Sequence, residues 1–225
     1  MRQNWRMTHP VWPLFDLRVR TPRLELRYID DEMAAELALL AACGIHDPEF
    51  MPFGIPWSLE KSPMLERNTM QFYWRCRAEM SPTNWNINFA TIVDGAVVGT
   101  TALFAKDFPI VRSFETGSWL GHEFQGKGIG QEMRVATLQL GFLGLTAEYA
   151  TTGAWEDNGP SLGVTAKLGY EAVGYRRDVR LEKASTMRRF ELSRTEFTTR
   201  LQRDDIELVG VEPCLGLLGL DEPAQ

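Results

Sequence analysis

Six residues, Gln125-Gly126-Lys127-Gly128-Ile129-Gly130, constrain this chain more than any other stretch, because alternating glycines give way at once to an apolar helix pattern. In the QEMRVATLQLGFLGL that follows, Met133, Ala136, Leu140 and Leu143 recur at helical spacing, and Val135, Leu138 and Phe142 widen the stripe. A helix therefore begins at about Ile129. Glycine is needed where backbone turns with positive φ or approaches a ligand closely. The free N–H groups of a helix start, at its positive dipole end, form an anion site. Two readings stand at this point: a plain strand–helix turn, or a loop whose amides hold a pyrophosphate while Lys127 adds positive charge. The phosphate-loop pattern GxxxxGK[ST] is absent. A dinucleotide fingerprint GxGxxG would need glycine at 131, where Gln131 stands.

The segments leading into the loop also argue against a dinucleotide fold. Leu24 and Leu26 alternate with Arg23, Glu25 and Arg27, the period of a half-buried strand starting near Thr21. Asp30 is placed to cap a helix with Asp31 and Glu32 in its first turn and an apolar run from Met33 to Ala42, stopped by Gly44. His46 to Pro63 holds four prolines and many aromatics, among them Phe50, Phe53 and Trp57. A loop that long and that aromatic is expected to be ordered and near a substrate pocket. A helix over about Met64 to Glu79 follows, with Leu65, Phe72 and Cys76 on one side. Ile87, Phe89 and Thr91 then alternate, Asp94-Gly95 marks a hairpin, and a further strand is expected at Ser113 to Leu120. Three antiparallel strands thus precede the glycines, where a dinucleotide fold would place a parallel unit.

Charge and cysteine content narrow the function classes. The 225 residues carry 24 basic against 30 acidic side chains, net −6, whereas a nucleic-acid binder carries a basic surplus. Cys43, Cys76 and Cys214 are scattered, which fits reduced thiols and no metal site. The start of the chain lacks the apolar core of a signal peptide. Its most apolar long stretch, Val135 to Ala147, is too short to cross a bilayer. These features lead us to expect a cytoplasmic protein with neither nucleic-acid nor membrane partners.

Several motifs together resemble the GCN5-related N-acetyltransferase (GNAT) superfamily. A strand ending Gly117-Ser118-Trp119-Leu120, with the loop from Gln125 to Gly130 opening a helix, resembles its acyl-CoA loop pattern [Q/R]xxGx[G/A]. Asn158-Gly159-Pro160-Ser161 and Ala166-Lys167-Leu168-Gly169-Tyr170 resemble its "NxxS … KLGF" segment. Thr21 to Arg27 resembles the opening strand of the subgroup that acetylates ribosomal-protein N-termini. The loop HDPEFMPFGIPW and the segment Lys106 to Ile110 resemble an actinobacterial branch with succinyl-CoA-using members. The resemblance spans about Thr21 to Leu192.

It implies a mixed α/β fold, a mostly antiparallel sheet flanked by helices, the GNAT acyl-CoA N-acyltransferase fold. The implied activity is transfer of an acetyl or succinyl group from acetyl-CoA or succinyl-CoA to an amine acceptor, by direct attack and without a metal. Carried over residue by residue, the backbone at Trp119 and Leu120 would pair with pantetheine. The amides of Gln125, Gly126, Lys127, Gly128, Ile129 and Gly130 would hold the pyrophosphate. Asn158 would hydrogen-bond the cofactor, and Ser161 would lie near the thioester sulfur. Asn158 and Ser161 also read as ordinary turn and cap residues.

For catalysis Glu115 is the candidate base, against its reading as a surface charge. His122 reads as a solvated loop residue. Where many relatives carry a tyrosine acid this chain has Thr165, which makes Ser161 the better thiolate donor. Lys106 and Arg112 are candidate partners for a succinyl carboxylate.

The organisation expected is a Trp/Pro-rich arm over 1–20, an acyltransferase domain over 21–203, and a tail over 204–225 packing on the domain or on a partner subunit of a homo-oligomer. Tyr170 reads as a core aromatic. Glu171 to Arg180 and Thr186 to Leu192 are expected as a closing hairpin. Ser193 and Glu196 are expected to form a capping box for a helix over Thr195 to Gln202. The alternative to an enzyme is a non-catalytic acyl-CoA sensor on the same fold.

Overall fold

A computed structural model describes residues 9–220. Its chain order is β1 (Arg18–Arg20), β2 (Glu25–Tyr28), α1 (Asp31–Ala42), α2 (Met64–Ala78), β3 (Asn84–Val93), β4 (Ala96–Lys106) and a one-turn α3 (Phe108–Val111). Then come β5 (Ser113–Leu120), α4 (Ile129–Gln139), β6 (Tyr149–Trp155), α5 (Gly159–Lys167), β7 (Glu171–Arg180), β8 (Lys183–Ser193), α6 (Arg194–Arg200) and β9 (Glu207–Val209). The nine strands form one sheet ordered β7-β8-β6-β5-β4-β3-β2-β1-β9. Every pairing is antiparallel except β5 with β6.

The β3–β4 hairpin turns on Asp94 at φ 50° and Gly95 at φ 81°. Both signs match the turn whose twist suits paired strands. Asp30 caps α1, its carboxylate accepting from the Met33 N–H at 2.8 Å. Side-chain alternation gives the sheet two distinct faces. Trp85, Ile87 and Phe89 of β3 enter the main core, while Ala90 packs with Met33, Leu37 and Tyr73 beneath α1 and α2. On β5, Phe114 meets Phe142 beyond the C-terminus of α4 at 5.6 Å between ring centres. Helix α4 lies in the main core with Ile129, Met133, Ala136 and Leu138 buried, and its chain continues as a π-helical turn over Leu140–Gly144.

Three expectations change. The buried face of α2 is Leu65, Thr69 and Tyr73, not Leu65, Phe72 and Cys76. Thr69 is hidden because its hydroxyl donates to the Leu65 carbonyl at 2.8 Å, which satisfies it within the helix. Phe72 instead stands outward at 41% exposure. Regular structure begins before Thr21, since β1 pairs with β2 and, on its other side, with β9 from the tail. Leu14, Leu17, Cys214 and Leu218 from the two chain ends are buried in the same core. The closing hairpin is longer than expected, turning at Leu181 and Glu182, both with positive φ. The Ser193 cap is present, its hydroxyl accepting from the Glu196 N–H at 3.2 Å.

Candidate active site

Strands β5 and β6 are paired only over Ser113–Glu115 and Tyr149–Thr151. Beyond Glu115 their pairing stops, although β5 continues to Leu120 and β6 to Trp155. Because the two strands run parallel, their C-terminal ends lie at the same edge, and the helices that follow them, α4 and α5, both begin there. A gap therefore opens between the strand ends, with Glu115 at its vertex. Trp119 and Leu120 flank it on one side, and Trp155, Asn158 and Ser161 on the other.

At the mouth of the gap sits the glycine loop. Gly126 and Gly128 have φ of 72° and 79°, a left-handed conformation that side chains resist. Gly128 is the N-cap of α4, and the first bond into the helix runs from the Glu132 N–H to the Gly128 carbonyl at 3.2 Å. Among the described residues, the N–H groups of Gly126, Lys127, Gly128, Ile129, Gly130 and Gln131 have no acceptor. Six consecutive free amides at a helix start fit a pyrophosphate.

Gln125 is braced instead. Its N–H donates to the His122 carbonyl at 3.3 Å, and its side-chain amide donates to the Ile45 and Leu120 carbonyls at 2.8 and 2.9 Å. That side chain ties the loop to the end of β5 and to the segment after α1.

A second brace is absent from the sequence reading. The Arg23 guanidinium donates to the Lys127 carbonyl at 3.1 Å and pairs with Glu132 at 3.3 Å. Glu132 is buried and also accepts from the Thr21 hydroxyl at 2.6 Å. The signal available was Thr21, Arg23 and Glu132 in one chain, but nothing local joins residues 111 positions apart. Lys127 lies over the Phe124 ring at 5.9 Å.

On the α1–α2 face of the sheet a cleft runs along the strands in two joined lobes. The first, about 550 Å³, is bounded by Gly117, Ser118 and Trp119 of β5, Thr100 of β4, Phe72 and Tyr73 of α2, and Phe53 and Trp57 of the long loop. The second, about 650 Å³, reaches the vertex and is bounded by Glu115, Thr151, Lys106, Cys76 and Glu79. Ile55, Phe72, Arg75, Asn86 and Phe104 line both.

The loop roofs this cleft through a run of rings. His46–Phe53, Phe53–Trp57 and Trp57–Trp119 have centres 5.7, 5.3 and 6.0 Å apart. Its Phe53 carbonyl accepts from the Trp155 indole at 3.3 Å. Arg180 of β7 lies over the Trp155 and Phe50 rings and pairs with Asp157. Burial pushes the Tyr73 phenol well above its ordinary pKa against a hydrogen bond with Thr100, so Tyr73 is neutral throughout the physiological range. Burial likewise raises the Cys76 thiol, against a hydrogen bond with Asn88.

The sequence-expected residues separate by role. Glu115 is on the cleft side of β5, at the vertex. Asn158 is buried and accepts from the Ser161 N–H at 3.2 Å as the N-cap of α5. Neither Asn158 nor Ser161 lines the cleft. Thr165 is fully buried, away from the cleft. Tyr170 is in the core under Arg134. Of the two candidate cations, Lys106 lines the second lobe, whereas Arg112 donates to the Thr146 hydroxyl at 3.0 Å. Among the described residues, no three His, Cys, Asp or Glu side chains converge as a metal site, and no helix is long and apolar enough to cross a membrane.

A splayed parallel pair, an αL-glycine loop with free amides and a cleft at the vertex meet at one end of these strands. Residues 23–171 match the family model described as an acetyltransferase (GNAT) domain. The chain belongs to that family and is a GNAT-type N-acetyltransferase. Solved structures share the fold at low identity. Mycobacterium smegmatis RimJ in complex with CoA-disulfide is 18% identical over 85% of this chain and 94% of its own, with a TM-score of 0.66. RimL, a ribosomal L7/L12 alpha-N-protein acetyltransferase in complex with coenzyme A, is 15% identical over 77% and 95%, TM-score 0.65. A GNAT-family acetyltransferase from Bacillus anthracis is 19% identical over 79% and 99%, TM-score 0.64.

Proposed function

We propose that the protein transfers an acetyl or succinyl group from its CoA thioester to a primary amine of a protein or small molecule, with Glu115 as base. The observation that carries this is the meeting, at one sheet edge, of six free loop amides with a strand gap whose vertex opens into the cleft. The pyrophosphate would lie on the amides from Gly126 to Gly130, with Lys127 and Arg23 supplying positive charge. The backbone of Trp119 and Leu120, on the side of β5 that β6 leaves unpaired, would pair with the pantetheine arm, and Asn158 would face it from the start of α5.

Attack by the neutral amine forms a C–N bond and breaks the C–S bond. One amine proton leaves through Glu115, directly or through water, and the departing sulfur takes a proton. Ser161, on the far side of the gap, is the donor for that last step. A dicarboxylic donor would direct its second carboxylate toward Arg75 and Lys106 in the second lobe. We further propose a cytoplasmic protein that self-associates. The support for self-association is the outer strand β7, whose Val173, Tyr175 and Val179 are exposed along an unpaired edge.

The test is thiol release from acetyl-CoA and succinyl-CoA with a panel of amines, alongside calorimetric CoA binding. Release that needs both amine and Glu115 supports the assignment. CoA binding without release under any amine would leave a sensor domain. Equal loss of both donors in Lys106→Ala and Arg75→Ala would remove the succinyl reading.

A further inference from the structure

The walls of the cleft are informative about the acceptor. In the first lobe, Phe53 and Trp57 from the loop, Phe72 and Tyr73 from α2 and Trp119 from β5 converge on one space. The sheet floor between them offers uncharged polar groups, Asn86, Asn88 and Thr100. The carboxylate nearest the strand vertex is Glu115, at the far end of this apolar space.

An acceptor in this cleft therefore meets flat apolar surface over most of the first lobe, whose charged lining is one residue of each sign, Glu60 and Arg75, and reaches Glu115 at the vertex. A polyamine would leave its second ammonium among rings and amides, a desolvation cost, and the like charge of Arg75 opposes what Glu60 offers it there. Gly117 contributes as well. It faces the cleft between Glu115 and Trp119, where a Cβ would stand 3.5 Å from the Phe104 ring, an ordinary contact. The absence of a side chain there is not forced by crowding, and it leaves the lobe open toward the vertex.

We propose that the acceptor is a primary amine one or two carbons from an aromatic or similarly flat apolar group. The ring lies in the first lobe against Phe72, Tyr73 and Trp119, and the nitrogen points along the cleft to Glu115. This rests on the acyltransferase reading of the same site. The shared chemistry can come from a free arylalkylamine or from a peptide with an aromatic N-terminal residue.

The experiment measures acetyl-CoA-dependent thiol release with phenethylamine, a peptide beginning in Phe, a peptide beginning in Ser, and spermidine. The same protein is titrated with CoA by calorimetry. The expected result is kcat/KM at least ~10-fold higher for an aromatic acceptor than for spermidine or the Ser peptide, the scale of one good aromatic contact. Whichever aromatic arm is faster identifies the source. Phe72→Ala removes an outward ring, so folding is little affected, and it should raise KM for the aromatic acceptor ~10-fold with CoA affinity unchanged. Gly117→Val, whose Cβ fits, should abolish acceptor turnover while the variant still binds CoA.

A preference for spermidine or the Ser peptide, or equal rates for all four, overturns the proposal. CoA binding without turnover of either aromatic acceptor also overturns it and leaves the CoA site standing. Absence of CoA binding would instead remove the underlying function.

Discussion

Replacing Gly128 by Ala separates the proposed phosphate role of the loop from its role as a turn. Gly128 has φ 79°, and a Cβ there would meet nothing closer than the Arg23 guanidinium at 3.6 Å. The protein therefore opposes the change by conformation and not by crowding. The left-handed conformation costs an L-residue about 1–2 kcal/mol, which for a chain of this size lowers Tm by roughly 2–8 °C. Gly130→Ala is the control. Gly130 has no positive φ, and its Cβ would sit 3.6 Å from Leu120. Alanine there should add up to about 1 kcal/mol through helix propensity and leave CoA binding intact.

With CoA at ~100 times the wild-type dissociation constant, the wild type should gain about 2.7 kcal/mol. A methyl group among the amides from Gly126 to Gly130 that weakens binding tenfold leaves about 1.4 kcal/mol at the same concentration. Thermal-shift titration thus reads both quantities, with a CoA-induced rise of roughly 5–10 °C in the wild type and about half of that in Gly128→Ala. If folded Gly128→Ala shows the full wild-type rise, the pyrophosphate assignment fails and the loop is only a turn.

Glu115→Gln should lower kcat by about 10²-fold or more with CoA affinity unchanged, the scale of a lost general base. A kcat within threefold of wild type would return Glu115 to a surface charge. Arg23→Ala strands the buried Glu132 and frees the Lys127 carbonyl. We expect weaker CoA binding with kcat preserved at saturation, and a fall in kcat alone would contradict a loop-bracing role. The Arg180 guanidinium holds the Asp157 carboxyl below its ordinary 3.8, against a smaller opposing effect of burial. This contribution is complete above that value and is lost as pH falls through the lower native one. Trp155 fluorescence, 5.0 Å from Arg180, should therefore change in acid below about pH 4, and Asp157→Asn should show the changed signal already at neutral pH. Gly141→Ala would put a Cβ 2.2 Å from the Phe114 ring and should cost about 1–3 kcal/mol by overpacking, measured as a drop in urea midpoint. A wild-type midpoint would mean the ring shifts freely.

What the sequence discloses here is what local physics decides. Asp94-Gly95 demands positive φ at two successive residues, Asp30 satisfies an orphan amide three residues on, and the helix stripe after Gly130 has one face too apolar to leave in water. Each of these needs only a few neighbouring residues, so each is legible. The second kind of information is long-range, and there the pattern falls silent. Strand β1 is three residues long and exists because Arg18 pairs with Arg27 on one side and with Val209 on the other. No period can appear in three residues.

Helix α2 misleads for a related reason. Apolarity assigns Phe72 to the core, but tertiary packing buries Thr69 and Tyr73 and turns Phe72 into the cleft. The site repeats this division. The glycines announce the left-handed turn at the start of α4 because a backbone conformation must be encoded where it occurs. The braces that hold that conformation, Arg23 with Glu132 and the Gln125 amide on Ile45, come from parts of the chain remote in sequence. The cleft proposed for the acceptor is assembled from β3, β4, β5, α2 and a proline-rich loop, none of which has a motif of its own. A family pattern can therefore mark the glycine loop long before anything in the sequence shows an acceptor, and the proposed acceptor choice rests on the rings gathered around Gly117.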